Sequence, residues 1–408
     1  MITLRIKKFI TACLCLAFIL FTGWRNLSLN LSPVFQKIEQ FWSESWNPLG
    51  ELPILVGELN AFLEENVVDK YTYVEGHGYV QRLLMKYEVN NFEVVRDQAD
   101  NLHYTYFTTG PNPVDHLVKR LSRLQEAAHD SGAELIYLMT PDKFIPGLTQ
   151  YNIGIPYNYA NETADLFIAG LEDYQINYLD YRAVMQASGE LTAESFYYTD
   201  HHWTIQMAFS AFQHLAAELE QNYGWKLKDA DKLTDLSNYN QITYPKSYLG
   251  SMGRKTGQLY TKAEDFTVIY PKFDTDFHVY TQAGAYEEHV QGKFEYSLLK
   301  TSILRDGADK YAVQNDKFFT YMNGNPGAVQ STNLDYPEGP RVLFVKDSLI
   351  VPVASFLSIG TSHTTMIDPR YYHGKIEEVV KEGDYDFIFV TYTPQNLTDE
   401  FFPFYEED

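Results

Sequence analysis

The chain has 408 residues, enough for one large domain or two ordinary ones around a sizeable core. Hydrophobic residues make up 45% and charged residues 21%, a globular composition that excludes wholesale disorder. With 32 Lys plus Arg against 54 Asp plus Glu, the net charge is −22, and so acidic a chain repels polyanions and excludes nucleic acid as a partner.

In chain order, the first feature is a membrane address. Arg5, Lys7 and Lys8 precede an apolar run at 9–24, the pattern of a secretory signal. The run is short for an upright span, so tilt or local thinning is required. No small-x-small cleavage site is obvious, and the run is expected to stay as a signal anchor over residues 1–25. A positive flank ahead of the helix places the rest of the chain outside the cytoplasm, as a single-pass protein of the cell membrane. Residues 26–71 are expected to form a stalk, and 72–408 the folded domain. Both cysteines, Cys13 and Cys15, lie in the apolar run. The rest of the chain therefore holds no disulfide framework and no cysteine metal site.

Helices and strands then alternate. Residues 114–130 carry Leu117, Leu121, Leu124 and Ala128 at helical spacing, with Gly132 as a stop. Residues 134–139 read as a buried strand, and 176–179 as another. Thr204 can cap a helix reaching about residue 222, with Gly224 beyond it. Strands at 342–345, 364–367 and 386–390, separated by helices at about 349–357 and 375–381, imply right-handed crossovers and a parallel sheet. Residues 258–340 differ, with strand-and-turn composition, and read as a β-rich insertion over an edge of the sheet. Aromatics stand at 15% with 32 Tyr, which suits either stacking on sugars or ordinary use in strands and core edges.

Two segments can carry chemistry. In Thr199-Asp200-His201-His202-Trp203-Thr204, residues two apart point the same way if the segment is extended. Asp200 could then orient the ring of His202 for general-base work, with His201 pointing elsewhere. The same residues also read as a helix-start acid with surface histidines, or as metal ligands. A clear third ligand motif is missing, so neither metal nor cofactor is expected. In Val345-Lys346-Asp347-Ser348-Leu349, Ser348 ends an apolar strand and opens a helix. That is the sheet edge where open α/β folds place ligands, and helix N–H groups there can stabilise an oxyanion. Taken alone, Ser348 is also an ordinary helix cap.

The two segments together resemble a known family. Asp200-His201-His202-Trp203 is the pattern after which the DHHW family is named. Lys346-Asp347-Ser348 with Val351-Pro352, the stretch Ile367-Asp368-Pro369-Arg370-Tyr371-Tyr372, and Gly250-Ser251-Met252-Gly253-Arg254 look like further blocks of it. The resemblance runs from about residue 101 to 396. Wider relatives are similar to alginate O-acetylation proteins, with a circularly permuted, SGNH-hydrolase-like domain. The resemblance implies an α/β three-layer fold with Ser348 as nucleophile, His202 as base and Asp200 as orienting acid. One departure is Lys346, where the usual block has glycine. Ser348's own N–H is one oxyanion donor, and Arg254 is a candidate second donor or substrate clamp. Lys143, Tyr392 and Gln395, at strand ends on the same edge, are candidates to line the cleft, while Arg370 is expected to pair with a carboxylate.

The function so implied is O-acetyl transfer to a surface or secreted polysaccharide through an acetyl-serine. Acetyl-CoA is cytoplasmic, so the resemblance also implies a membrane-bound O-acyltransferase partner that relays the acetyl group. A carbohydrate esterase with the same triad and a non-catalytic polysaccharide-binding protein are the two rival readings.

Overall fold

The computed structural model describes residues 2–44, 50, 52–283, 286–304 and 315–405; parts of the expected stalk (45–49 and 51) and of the expected insertion (284–285 and 305–314) lie outside the described residues. The chain divides into two compact units, Met1–Gly76 and His77–Asp408.

The first unit contains α1 (Ile2–Glu44) and α2 (Leu52–Glu65), and α3 (Lys70–Leu83) leads into the second. The basic head and apolar run form the start of α1, which continues through Pro33 to Glu44. An apolar window in α1 is long enough to cross a membrane. Beyond that run, Asn26 accepts from the Val68 N–H at 2.8 Å and Asn30 donates to the Asn66 carbonyl at 3.0 Å.

The second unit opens with a small antiparallel sheet of β1 (Glu88–Val89), β2 (Val94–Arg96) and β3 (Leu102–Tyr104). Then come α4 (Asp115–Asp130), β4 (Glu134–Met139), α5 (Ala160–Asp173), β5 (Asn177–Asp180), α6 (Tyr181–Ser188) and α7 (Ile205–Tyr223). After α8 (Ala230–Leu233), β6 (Tyr239–Tyr248) pairs with β7 (Glu264–Pro271) as a two-stranded ribbon around α9 (Ser251–Thr256). The remainder is β8 (Phe277–Ala283), β9 (Tyr286–Gly292), α10 (Phe294–Ser297), β10 (Ala328–Asn333), β11 (Arg341–Lys346), α11 (Val351–Leu357), β12 (His363–Ile367), α12 (Ile376–Glu382) and β13 (Phe387–Tyr392).

Eight strands form one sheet in the order β5-β4-β13-β11-β12-β10-β8-β9. The five from β5 to β12 are parallel, as the helical crossovers require. At the β12 edge the pairing turns antiparallel, through β10, β8 and β9. From the segment expected as a β-rich insertion over an edge of the sheet, 258–340, β10 pairs with β12 and β8 and β9 follow it, extending that edge.

Alternation along the strands assigns each side chain to a layer. In β4, Leu135, Tyr137 and Met139 join the core under α4, α5 and α12, while Ile136 and Leu138 join the core under α6, α7 and α11. β11 and β13 split the same way, Val345 and Val390 to the first core, Phe344 and Phe389 to the second. Helices on both faces make the three layers. Leu121 of α4 is fully buried in the first core. Leu121→Ala is expected to lower unfolding free energy by about 2–5 kcal/mol, read by urea denaturation.

Candidate active site

Ser348 owes its position to the end of β11. The strand is apolar and buried up to Lys346, and Asp347 begins the turn that follows. Pro352 fits only a helix's first turn, so α11 starts at Val351, three residues beyond Ser348 rather than directly after it. Ser348 therefore sits on a turn, half-buried between the buried Asp347 and Leu349. Asp347 braces that turn. It accepts from the Leu349 N–H at 3.0 Å, the Thr393 N–H at 2.7 Å, the Thr393 hydroxyl at 3.0 Å and the Asn396 amide at 2.9 Å. The carboxyl ends of β11 and β13 are tied together through one carboxylate.

Asp200 and His202 lie in a tight loop closed by an antiparallel bridge between Phe196 and Trp203. Trp203 is buried in the core, and Thr204 caps α7 by accepting from the Met207 N–H at 3.2 Å. Lys143, after β4, donates to the carbonyls of Tyr197, Tyr198 and Asp200 at 2.6, 3.0 and 2.9 Å. Glu264, at the start of β7, accepts from the N–H groups of Tyr198 and Thr199, each at 2.7 Å, and from the Thr199 hydroxyl at 2.5 Å. A cation thus meets the loop's carbonyls and an anion meets its amides.

These two segments converge. His202 Nε2 lies 2.7 Å from Ser348 Oγ, and His202 Nδ1 lies 2.6 Å from Asp200 Oδ1. The His202 ring stacks on Phe318, with centroids 3.8 Å apart and planes 11° from parallel. Asp200 is fully buried and also accepts from the His202 N–H at 3.0 Å, the Tyr248 hydroxyl at 2.8 Å and the Ser251 N–H at 2.6 Å. Burial pushes the Asp200 carboxyl up, but the attraction of His202, His201 and Arg254 and the bond from His202 outweigh it and hold it well below the usual carboxylate range. The Tyr248 hydroxyl further reaches Asp316 at 3.2 Å, and Asp316 pairs with Arg254 at 2.7 Å. Chemically, the arrangement is a hydroxyl, an imidazole and an anchored carboxylate in line.

His201 does not point away as the alternation suggested. Its ring packs on His202 at 4.0 Å, and its Nδ1 lies 3.0 Å from Ser251 Oγ and 3.2 Å from Asp200. Burial, more than the charges around it, drops its pKa to about 3, so it is neutral at ordinary pH. Among the described residues Asp200, His201 and His202 offer three ligand-type atoms within 4.8 Å of one another. Both oxygens of Asp200 are nevertheless engaged by protein donors, which leaves the carboxylate poorly placed to bind a cation as well.

The expected lining residues fare differently. Arg254 is held by Asp316 and by the Leu249 carbonyl at 3.1 Å, so its guanidinium is paired on the Asp316 side of Asp200. Lys143 is buried with its ammonium saturated by three carbonyls, so it builds the loop and does not line a cleft. Tyr392 is fully buried on the face of Ile388 and Val390, packed on Phe401 and Phe402; strand parity turns it into the α4–α5 layer, away from His202. Gln395 sits on the turn that supplies Asn396 to Asp347, its Oε1 buried without a hydrogen-bond partner among the described residues, and it remains a candidate. Lys346 leaves the Ser348 turn clear, since its side chain runs to Asn325 and toward Asp368. Arg370 pairs with Asp368 through two bonds of 3.0 and 2.8 Å.

Gly250 and Gly253 matter for space rather than for unusual dihedrals, since Gly250 has φ −67°. A Cβ on Gly250 would collide with Asp200 Cβ and Oδ2, and one on Gly253 would lie 2.9 Å from Thr199 Cβ. Tyr248, Glu264, Asp316 and Phe318 were not singled out by sequence. Tyr248 lies two residues before the Gly250-Ser251-Met252-Gly253-Arg254 block and could have been suspected, whereas the other three carry no motif.

Residues 105–259 match the family described as the SGNH hydrolase-like domain, acetyltransferase AlgX. The chain carries an SGNH hydrolase-like domain. No curated protein matches the sequence. Solved structures share the fold. Bacillus cereus PatB1 is 18% identical, with a TM-score of 0.61 over 76% of this chain and 99% of its own. PatB1 with a sulfonyl adduct gives 16% and 0.60, over 76% and 97%. A DHHW family protein from Eubacterium siraeum is 16% identical, with a TM-score of 0.53 over 74% of this chain and 91% of its own. The SGNH-like domain accounts for the site's location, at the carboxyl ends of parallel strands.

Two outcomes are expected of this SGNH-like site. Gly250→Ala should displace Asp200 and lower esterase or transferase turnover about a hundredfold while far-UV circular dichroism stays unchanged. Burial, more than the neighbouring charges, drops the pKa of the fully buried Lys346 from 10.5 to about 8. The folded state sheds that proton near pH 8 and the unfolded chain near 10.5, so the unfolded state binds more protons in between and Lys346 makes stability rise with pH there. Lys346→Met should remove that component of the slope, read by urea unfolding at pH 7, 8, 9 and 10.

Proposed function

We propose that this chain is an extracytoplasmic O-acetyltransferase that modifies a cell-surface or secreted polysaccharide. The observation that carries the reading is the line from Ser348 Oγ to His202 Nε2 at 2.7 Å and from His202 Nδ1 to Asp200 at 2.6 Å. In the first step Ser348 Oγ attacks the donor's acetyl carbonyl carbon while its proton passes to His202 Nε2. The donor's leaving oxygen or sulfur takes that proton as its bond to the acetyl group breaks, leaving acetyl-Ser348. In the second step His202 takes the proton of a sugar hydroxyl, the sugar oxygen attacks the acetyl carbon, and Ser348 leaves with the proton returned to it. Asp200 keeps the proton on Nδ1 of the neutral ring and stabilises the imidazolium between steps.

The Ser348 backbone N–H is the first oxyanion donor in this reading. Arg254 and Lys143 are committed elsewhere and are not assigned that role. The apolar part of α1 anchors the protein with the SGNH-like domain outside the cytoplasm, and a membrane-bound O-acyltransferase supplies the acetyl group. Matching to the acetyltransferase AlgX family over residues 105–259 supports transfer over hydrolysis.

The test follows a chromogenic acetyl ester with the full chain in detergent, recording intact mass and glycan acetylation. Wild type should form an adduct on Ser348 that a glycan acceptor discharges, raising glycan acetylation. Ser348→Ala and His202→Ala should each lose at least about a thousandfold in turnover. A sulfonyl fluoride should label wild type at Ser348 and spare Ser348→Ala. Falling glycan acetylation would replace transferase by esterase, and equal rates in all three proteins would remove catalysis from this site.

A further inference from the structure

The loop after β3 exposes two aromatic rings without being loose. Thr105 anchors it on one side, its hydroxyl donating to the Phe92 carbonyl at 2.8 Å, and Thr108 on the other, to the Asn158 carbonyl at 3.2 Å. Between them Tyr106 has φ +41°, a left-handed backbone that costs a bulky residue free energy. That cost is not recovered by burial, since Tyr106 is 44% exposed and Phe107 63% exposed.

The rings lead to the triad. Tyr106 packs on Tyr104 with centroids 5.5 Å apart, Tyr104 on His201 at 5.8 Å, and His201 on His202 at 4.0 Å. A short oligosaccharide spans that distance. Polar groups edge the strip: Lys255 lies 4.9 Å from the Tyr104 ring centroid and pairs with Glu93, and Ser251 Oγ meets His201. A part-exposed aromatic ring beside hydrogen-bonding groups suits a pyranose, whose C–H face is apolar and whose edge carries hydroxyls. Lys255 already occupies the cation-attracting face of Tyr104, which disfavours a cationic ligand.

We propose that Tyr106, with Phe107 beside it, is the stacking platform of an acceptor subsite, holding a neutral pyranose one or two units along the glycan from the hydroxyl that receives the acetyl group. The proposal rests on the transferase reading above and adds where the acceptor lies and that it is longer than one sugar. Stacking is lost with the ring, so Tyr106→Ala should weaken a trisaccharide about five- to tenfold.

The experiment compares cellotriose with glucose as acceptors, using full-length wild type, Tyr106→Ala, Tyr106→Trp and, as a control, Tyr296→Ala, an exposed ring in α10. Wild type and Tyr296→Ala should show a lower KM for cellotriose than for glucose. Tyr106→Ala should lose that advantage and Tyr106→Trp retain it. Cellotriose binding to Ser348→Ala and to Ser348→Ala with Tyr106→Ala, followed by NMR, gives a readout that needs no turnover. A five- to tenfold rise in Kd there supports the subsite even if no acyl adduct forms, which would count against the transferase reading alone. Equal Kd values, or a cellotriose advantage that survives in Tyr106→Ala, overturn the subsite while leaving the transferase reading to its own test.

Discussion

The ammonium of Lys143 and the carboxylate of Glu264 hold the same loop, and the candidate site depends on that grip. Peptide carbonyls carry negative partial charge and amides positive, so a buried cation on the carbonyls of Tyr197, Tyr198 and Asp200 and a largely buried anion on the amides of Tyr198 and Thr199 stabilise one loop conformation. Neither charge could stay buried without those partners, because an unpaired ion at such a position is costly. The loop and the two charges therefore require each other. Since Lys143 follows β4 and Glu264 begins β7, the loop is set against two different sheets.

A second anchored carboxylate does the same for Ser348. Asp347 spends its oxygens on Leu349, Thr393 and Asn396, which sets the turn of Ser348 against the end of β13. His202 and Ser348 are 146 residues apart, yet their polar atoms meet at 2.7 Å because each lies on a braced turn. Phe318 completes the placement by covering one face of the imidazole.

The acid side of the triad extends further than three residues. Asp200 is linked through the Tyr248 hydroxyl to Asp316 and from there to Arg254. The attraction of His202, His201 and Arg254 and the bond from His202 keep the carboxylate charged in spite of complete burial, and that bond holds the imidazole in a single orientation. The His201 ring packs beside His202 and its Nδ1 lies 3.2 Å from Asp200, so the one carboxylate faces both imidazoles.

Much of this was legible in the sequence because it rests on local rules. Helical spacing in α4, the Thr204 cap and the apolar strands β4, β11, β12 and β13 all follow from periods of 3.6 and 2. Asp200, His202 and Ser348 stood out through their resemblance to the DHHW pattern, since by residue type and spacing alone Ser348 is also an ordinary helix cap. Pairing across long separations was not legible. Nothing local says that Lys143 would find three carbonyls 54 to 57 residues away, that Arg254 would be taken by Asp316, or that Phe318 would stack on His202. Tyr392 shows the limit most simply: its place at a strand end was readable, but the layer it faces depends on which core each side of the sheet covers. Sequence by itself determined the element pattern and the reactive residue types. Only the tertiary structure decided which charges meet and which faces are covered, because those are set by strand order and packing between segments distant along the chain.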